Sequence, residues 1–121
     1  MLSAIIIYKN KKASININFT NPDTGLPVDL TGLRFEFFAK HNYNDPDTSA
    51  VVHKSTGPIV TGITKVDPKN GWARIDFLPQ DTVALPVPTV LGYKIDVFDF
   101  RGRTLTVAVN TLQIISGSDN D

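Results

Sequence analysis

The stretch Leu91–Ile115, LGYKIDVFDFRGRTLTVAVNTLQII, decides the fold of this 121-residue chain. Two long runs flank one turn signal, Arg101-Gly102. In the first run Tyr93, Ile95 and Val97 fall on one face, and Lys94 and Asp96 on the other. In the second, Leu105, Val107 and Val109 alternate with Thr104, Thr106 and Ala108. A period of two marks half-buried strands, because successive side chains point to opposite faces. A glycine-containing gap between two such runs marks a hairpin. The phase changes within the second run. Leu105, Val107 and Val109 are odd-numbered, whereas Leu112 and Ile114 are even-numbered. One inserted residue flips the facing of everything after it, so a bulge or bend is expected at Asn110-Thr111.

Further strands are expected to gather on this ribbon. Ala4–Tyr8 is apolar on both faces, and Lys9-Asn10-Lys11-Lys12 reads as a solvated turn. Residues 14–20 place Ile15, Ile17 and Phe19 on one face. Asn21–Gly25 is a turn cluster, with Pro22 fixing φ and Gly25 free to take positive φ. Residues 33–40 point Leu33, Phe35 and Phe37 inward, and polar residues 41–50 form a loop. Residues 51–54 read as a short strand and 59–66 as one strand, whole or interrupted at Gly62. Asp67–Gly71 is a hairpin turn, and residues 72–78 alternate again, with Ala73, Ile75 and Phe77 together. Residues 79–88 hold a single helical turn with Asp81 as its N-cap, stopped by Pro86 and Pro88. Seven to nine short strands separated by turn signals predict an all-β, immunoglobulin-like antiparallel β-sandwich. Residues 1–115 read as a single domain and 116–121 as a polar tail. The predicted core is Phe35, Phe37, Ile75, Phe77, Ile95, Val97 and Val107.

Composition narrows the function. Twelve basic residues balance twelve acidic ones, so nothing electrostatic draws the chain to nucleic acid or to an anionic membrane. The apolar start is too short to span a bilayer and lacks the pattern of a signal peptide. There is no cysteine, hence no disulfide and no thiolate metal site. The two histidines, His41 and His53, lack the spacing of a zinc site. Asp45 and Asp47 begin a calcium-loop pattern but lack its glycine and terminal glutamate. No serine sits in a nucleophile-elbow context. The reading is therefore no catalytic residue, no metal and no cofactor. Lys9, Lys11 and Lys12 read as a solvated turn. Trp72 and Tyr43 are the aromatics that would serve a glycan-binding or host-adhesion module, the alternative reading.

The turn sequences carry a resemblance. The stretch ININFTNPDTGLPVDLTGLRFEFFAK, residues 15–40, resembles the opening of immunoglobulin-like modules in tailed-phage structural proteins. There a polar strand leads through a D-G-x-P-V-D-L-T-G connection into an aromatic strand, and Thr24–Gly32 stands in that place here. WARIDFLPQDTVAL, residues 72–85, and LGYKIDVFDFRGRTLTVAVNTLQI, residues 91–114, resemble the same modules' x-P-x-D-T-x-x-L-P turn, Y-x-x-D-V strand and closing strand. The chain is similar to the N-terminal domain of phage baseplate upper proteins over most of residues 13–115. It departs in ending after one module, without a fibre or receptor-binding domain, and in beginning with an extra apolar strand. The resemblance implies a non-enzymatic structural or adaptor role in the virion of a tailed bacteriophage or prophage, in the tail or baseplate. The implied partners are copies of the chain or other virion proteins.

A monomeric sandwich should leave one face of each sheet in water. Ile6 and Tyr8 on the first strand, and Phe98 and Phe100 beside the hairpin turn, fall on that face. Apolar residues there mark an interface, so these four are the expected protein-contact residues of a homo-oligomer or of docking on a virion partner.

Overall fold

The structure is a computed structural model and describes residues 4–102 and 104–116. Arg103 and the tail beyond Ser116 lie outside the described residues. Eight strands form within them: β1 (Ile5–Tyr8), β2 (Ala13–Asn18), β3 (Arg34–Lys40), β4 (Val52–Ser55), β5 (Ile63–Asp67), β6 (Trp72–Phe77), β7 (Thr89–Phe98) and β8 (Thr104–Ile115). They build a five-stranded sheet, β1-β8-β7-β3-β4, and a three-stranded sheet, β2-β6-β5. All pairs are antiparallel except β1 with β8, which run parallel. This two-sheet order is that of an immunoglobulin-like β-sandwich.

Alternation chooses the core. Ile17, Ala73, Ile75 and Phe77 of the small sheet face Phe35, Phe37, Leu91, Tyr93, Ile95, Leu112 and Ile114 of the large one, all buried. The Phe37 ring meets Phe77 edge-on across the sandwich, centroids 5.6 Å apart, and stacks on Tyr93 at 5.2 Å. Six of the seven predicted core residues belong here: five are buried, and Val97 is half-buried against them. Val107 does not belong, being 37 % exposed.

The physical reason is the place of the bulge. Asn110 pairs with Tyr93 and Thr111 with Gly92 without interruption, so no break occurs there. The register slips three residues earlier: Ile95 pairs with Ala108 but Asp96 with Thr106, leaving Val107 as the extra residue. The phase change is real, but Ala108, not Val107 or Val109, takes the inward place opposite Ile95.

Other boundaries also differ. Residues 57–62 are loop rather than strand, and Ile59 stands almost wholly in solvent. Asp81 is not an N-cap but sits in the first turn of α1 (Pro79–Thr82). From there its carboxylate accepts the Leu78 amide at 2.7 Å and pairs with the buried Lys54 ammonium at 2.6 Å. The turn before β6 is as expected, with Gly71 at φ 78°.

Candidate interaction site

The strand order leaves one corner of the sandwich open. Among the described residues, β1 covers β8 along Leu112–Ile115. No described residue pairs with the outer edge of Thr104–Asn110. β2 is likewise an edge strand, paired with β6 alone. Between these two edges lies an apolar cleft of about 620 Å³, floored by Ile17, Phe19, Leu30, Phe35 and Ile95 and rimmed by Val97, Leu105 and Val107. No residue lining it carries a charge. Phe19 stacks on Phe35 across it, centroids 5.0 Å apart. Leu105 pairs with Val97 and shares its inward face, yet it is 67 % exposed, and no described strand pairs with β8 beside it.

The expected contact residues do not form one surface. Ile6 and Tyr8 are both exposed on the outer face of the large sheet. Ile6 lies beside Gln113, and Gln113 beside exposed Val90, while Tyr8 lies beside Ile115. Phe98 is eight residues along β7 from Val90, a separation of about 26 Å at the usual strand rise. The Arg34 guanidinium lies 4.2 Å above the Phe98 ring and leaves it half-covered. Phe100 is 83 % exposed at the hairpin turn. These are two patches at opposite ends of one face.

The rest of that outer face is charged and internally satisfied. The Lys40 ammonium, buried, donates to the Asp47 carboxylate and the Asp45 carbonyl, each at 2.7 Å. Lys94 bridges Asp47 and Asp96 at 3.1 and 3.0 Å, and the Thr106 hydroxyl donates to Asp96 at 2.7 Å. The bond from Lys40 holds the Asp47 carboxyl below its ordinary range. Burial pulls against the charge on Lys94, but its bonds to Asp96 and Asp47 outweigh burial and raise it. His53 stacks on Phe38 at 4.5 Å and reaches Glu36 at 2.8 Å. Of the calcium-like pair, the Asp47 carboxylate is thus taken by two lysines, and the Asp45 carboxylate accepts the Asn42 amide at 3.2 Å. Among the described residues no group of three or more His, Cys, Asp or Glu is placed to hold a metal ion, and no helix is long and apolar enough to cross a membrane.

The two aromatics that would read a glycan are not brought together. Tyr43 packs over Gly92 on the outer face of the large sheet, and Trp72 lies on the outer face of the small one. What sequence reasoning missed is the open corner.

No known protein family matches the chain, and no curated protein matches it by sequence. Among solved structures it is similar to the N-terminal domain of phage TP901-1 ORF48, at 13% identity and TM-score 0.48, covering 95% of this chain and 98% of that one. It is also similar to murine CRIg, at 8% identity and TM-score 0.46, covering 92% and 91%. A third likeness is to AggA, the major subunit of aggregative adherence fimbriae type I from Escherichia coli, at 12% identity and TM-score 0.35, covering 93% and 90%. At such overlaps the immunoglobulin-like assignment rests on the chain's own strand order.

Proposed function

We propose that this chain is a non-enzymatic structural or adaptor module of a tailed-phage or prophage virion, in the tail or baseplate, working by protein–protein assembly. The observation that carries the reading is the uncharged apolar surface along β1 and β8. On its outer face Ile6 and Tyr8 of β1, Val109 of β8 and Val90 of the neighbouring β7 are exposed, while the half of the same sheet around Lys40, Lys94 and Asp96 is covered by ion pairs. Contiguous apolar exposure of this kind is what a docking surface offers. The turn sequence Thr24–Gly32 and its resemblance to phage modules supports the virion as the setting. Ile6 and Tyr8 form the ground for a neighbouring virion protein or a further copy, and Phe98 and Phe100 form a second, separate ground. Electron microscopy of virions labelled with antibody against this chain tests the reading. Decoration at a fixed place on the tail is the expected result. Unlabelled particles, with the chain left in the soluble fraction of the lysate, would overturn it.

A further inference from the structure

We infer that β1 exchanges between two copies of this chain: Ile5–Tyr8 of each copy lies along Leu112–Ile115 of the other, in the place that β1 takes within one chain. The exchange does not depend on the virion reading. β1 stands at the margin of the large sheet, and its ladder is the parallel one with β8. The residues up to Tyr8 join the rest of the chain through Lys9–Lys12 alone. The strand can therefore change bodies without moving any other connection. The marginal strands β2, β4 and β5 each lie between two other strands in the chain and have no such freedom. The hinge itself favours opening. Lys9-Asn10-Lys11-Lys12 passes from the large sheet to the small one within four residues. Asn10 sits at φ 64°, the one non-glycine at positive φ among the described residues. A side chain there carries strain that an extended backbone relieves. Three lysines are also held close in the turn, and extension draws like charges apart. The Asn10 amide donates to the Thr82 hydroxyl at 2.8 Å, and the Lys9 amide to the Ile115 carbonyl at 2.9 Å. The bond that belongs to the turn itself, from the Lys11 amide to the Tyr8 carbonyl, is longer, 3.3 Å.

Shape selects a second copy as the occupant. Ile5 and Ile7 are buried in the core between the sheets, whereas Ile6 and Tyr8 face solvent. Their place on β8 adjoins Leu112 and Ile114, both fully buried. It is thus cut for isoleucines at alternate positions in one parallel register. β1 of another copy brings the same four residues and reproduces every contact of that ladder. Such an exchange is a low-cost route to a dimer, because its contacts already exist within the monomer. A short hinge under strain invites it.

The chain has no cysteine, so introduced ones report the exchange directly. Ile6 and Gln113 are register partners. Ile6→Cys chains and Gln113→Cys chains, refolded together from urea at rising micromolar concentration and then oxidised, should link through a disulfide between chains, since directly opposed residues lie within its reach. Ile6→Cys chains mixed with Val109→Cys chains should stay unlinked, because Val109 lies four residues back along β8 from Gln113. Sedimentation velocity of cysteine-free hinge variants adds a second readout. Asn10→Gly keeps the left-handed turn without strain and should lower the dimer fraction. Asn10→Pro excludes positive φ and should strengthen the dimer roughly tenfold. Circular dichroism checks that both variants fold. No disulfide between chains at any concentration, equal linking of the Val109→Cys pair, or hinge variants that dimerise alike would each overturn the inference. A chain that decorates virions yet never exchanges β1 defeats the exchange and leaves the assembly reading standing; an exchanged dimer that never enters a virion does the reverse.

Discussion

At the scale of single residues, Phe77 and Val107 separate what burial does from what alternation suggests. Phe77 is 1 % exposed and meets the Phe37 ring between the sheets. Phe77→Ala should cost about 3–5 kcal/mol, the lost transfer energy plus the cavity. That approaches the whole stability of a domain this size. Val107→Ala should change stability by less than about 1 kcal/mol, as surface substitutions do. Denaturant melts of the two variants check the contrast, and comparable losses would return Val107 to the core. Tyr93 offers a second test. It is fully buried, and burial pushes its phenol up to about 12 from the ordinary 10.0. A raised folded-state pKa gives stability that is whole below pH 10 and lost as pH rises toward 12. The loss is roughly 2–3 kcal/mol for two units. Tyr93→Phe should remove this component, so the native chain's stability should fall more steeply above pH 10 than the variant's. Parallel pH profiles would show that the phenol ionises freely in the folded state.

At the scale of elements, the turn into β6 is the clearest case of a residue type fixed by space. Gly71 lies at φ 78°, and a Cβ there would stand 2.4 Å from the Phe19 carbonyl oxygen and 3.1 Å from that of Val28. Both obstacles are backbone. Gly102 has nearly the same φ, 80°, but open space around it. Gly102→Ala should therefore cost only the strain of a left-handed residue, about 1–2 kcal/mol. Gly71→Ala should cost clearly more, and equal thermal shifts for the two would refute the distinction. This turn was readable in advance because Asp67–Gly71 names its own geometry. So were β3, β6 and β7, where large apolar residues alternate with charged ones and leave a single inward face. β8 was half-readable. Thr, Val, Leu and Ala do not say which of them faces water, so the phase change was visible but its position was not. Ala108 takes the inward place opposite Ile95, which a ranking of residues by hydrophobicity would not choose. Residues 59–66 misled for a related reason: Ile59 and Val60 have strand propensity, but propensity is weaker than the need to turn at Gly57 and Gly62. The open corner was legible least of all, because it depends on which strand stops short of which.

At the scale of the whole molecule, ion pairs fasten parts of the chain that alternation alone leaves loose. Asp47, in the loop after β3, takes Lys40 from β3 and Lys94 from β7, and Lys94 reaches Asp96. Loop and large sheet are thereby one unit. In the small sheet Asp76 accepts from Ser14 at 2.7 Å and from Arg74 at 2.9 Å, joining β2 to β6. Both carboxyls are held below their ordinary value of 3.8. For Asp47 the first cause is the Lys40 hydrogen bond, and for Asp76 the Ser14 hydroxyl. A depressed folded-state pKa contributes stability that is present above the unfolded value and lost as pH falls through the folded one. Stability should thus hold down to about pH 4 and decline below it. Asp47→Asn should lower stability at neutral pH, because it leaves the buried Lys40 ammonium without its counter-charge. It should also flatten the acid decline, because the group that titrates is gone. Ser14→Ala should flatten it less, since Asp76 keeps Arg74. Urea midpoints measured from pH 7 to pH 2 check all three. An Asp47→Asn profile that falls in parallel with the native one would mean that the loop's attachment does not depend on this carboxylate.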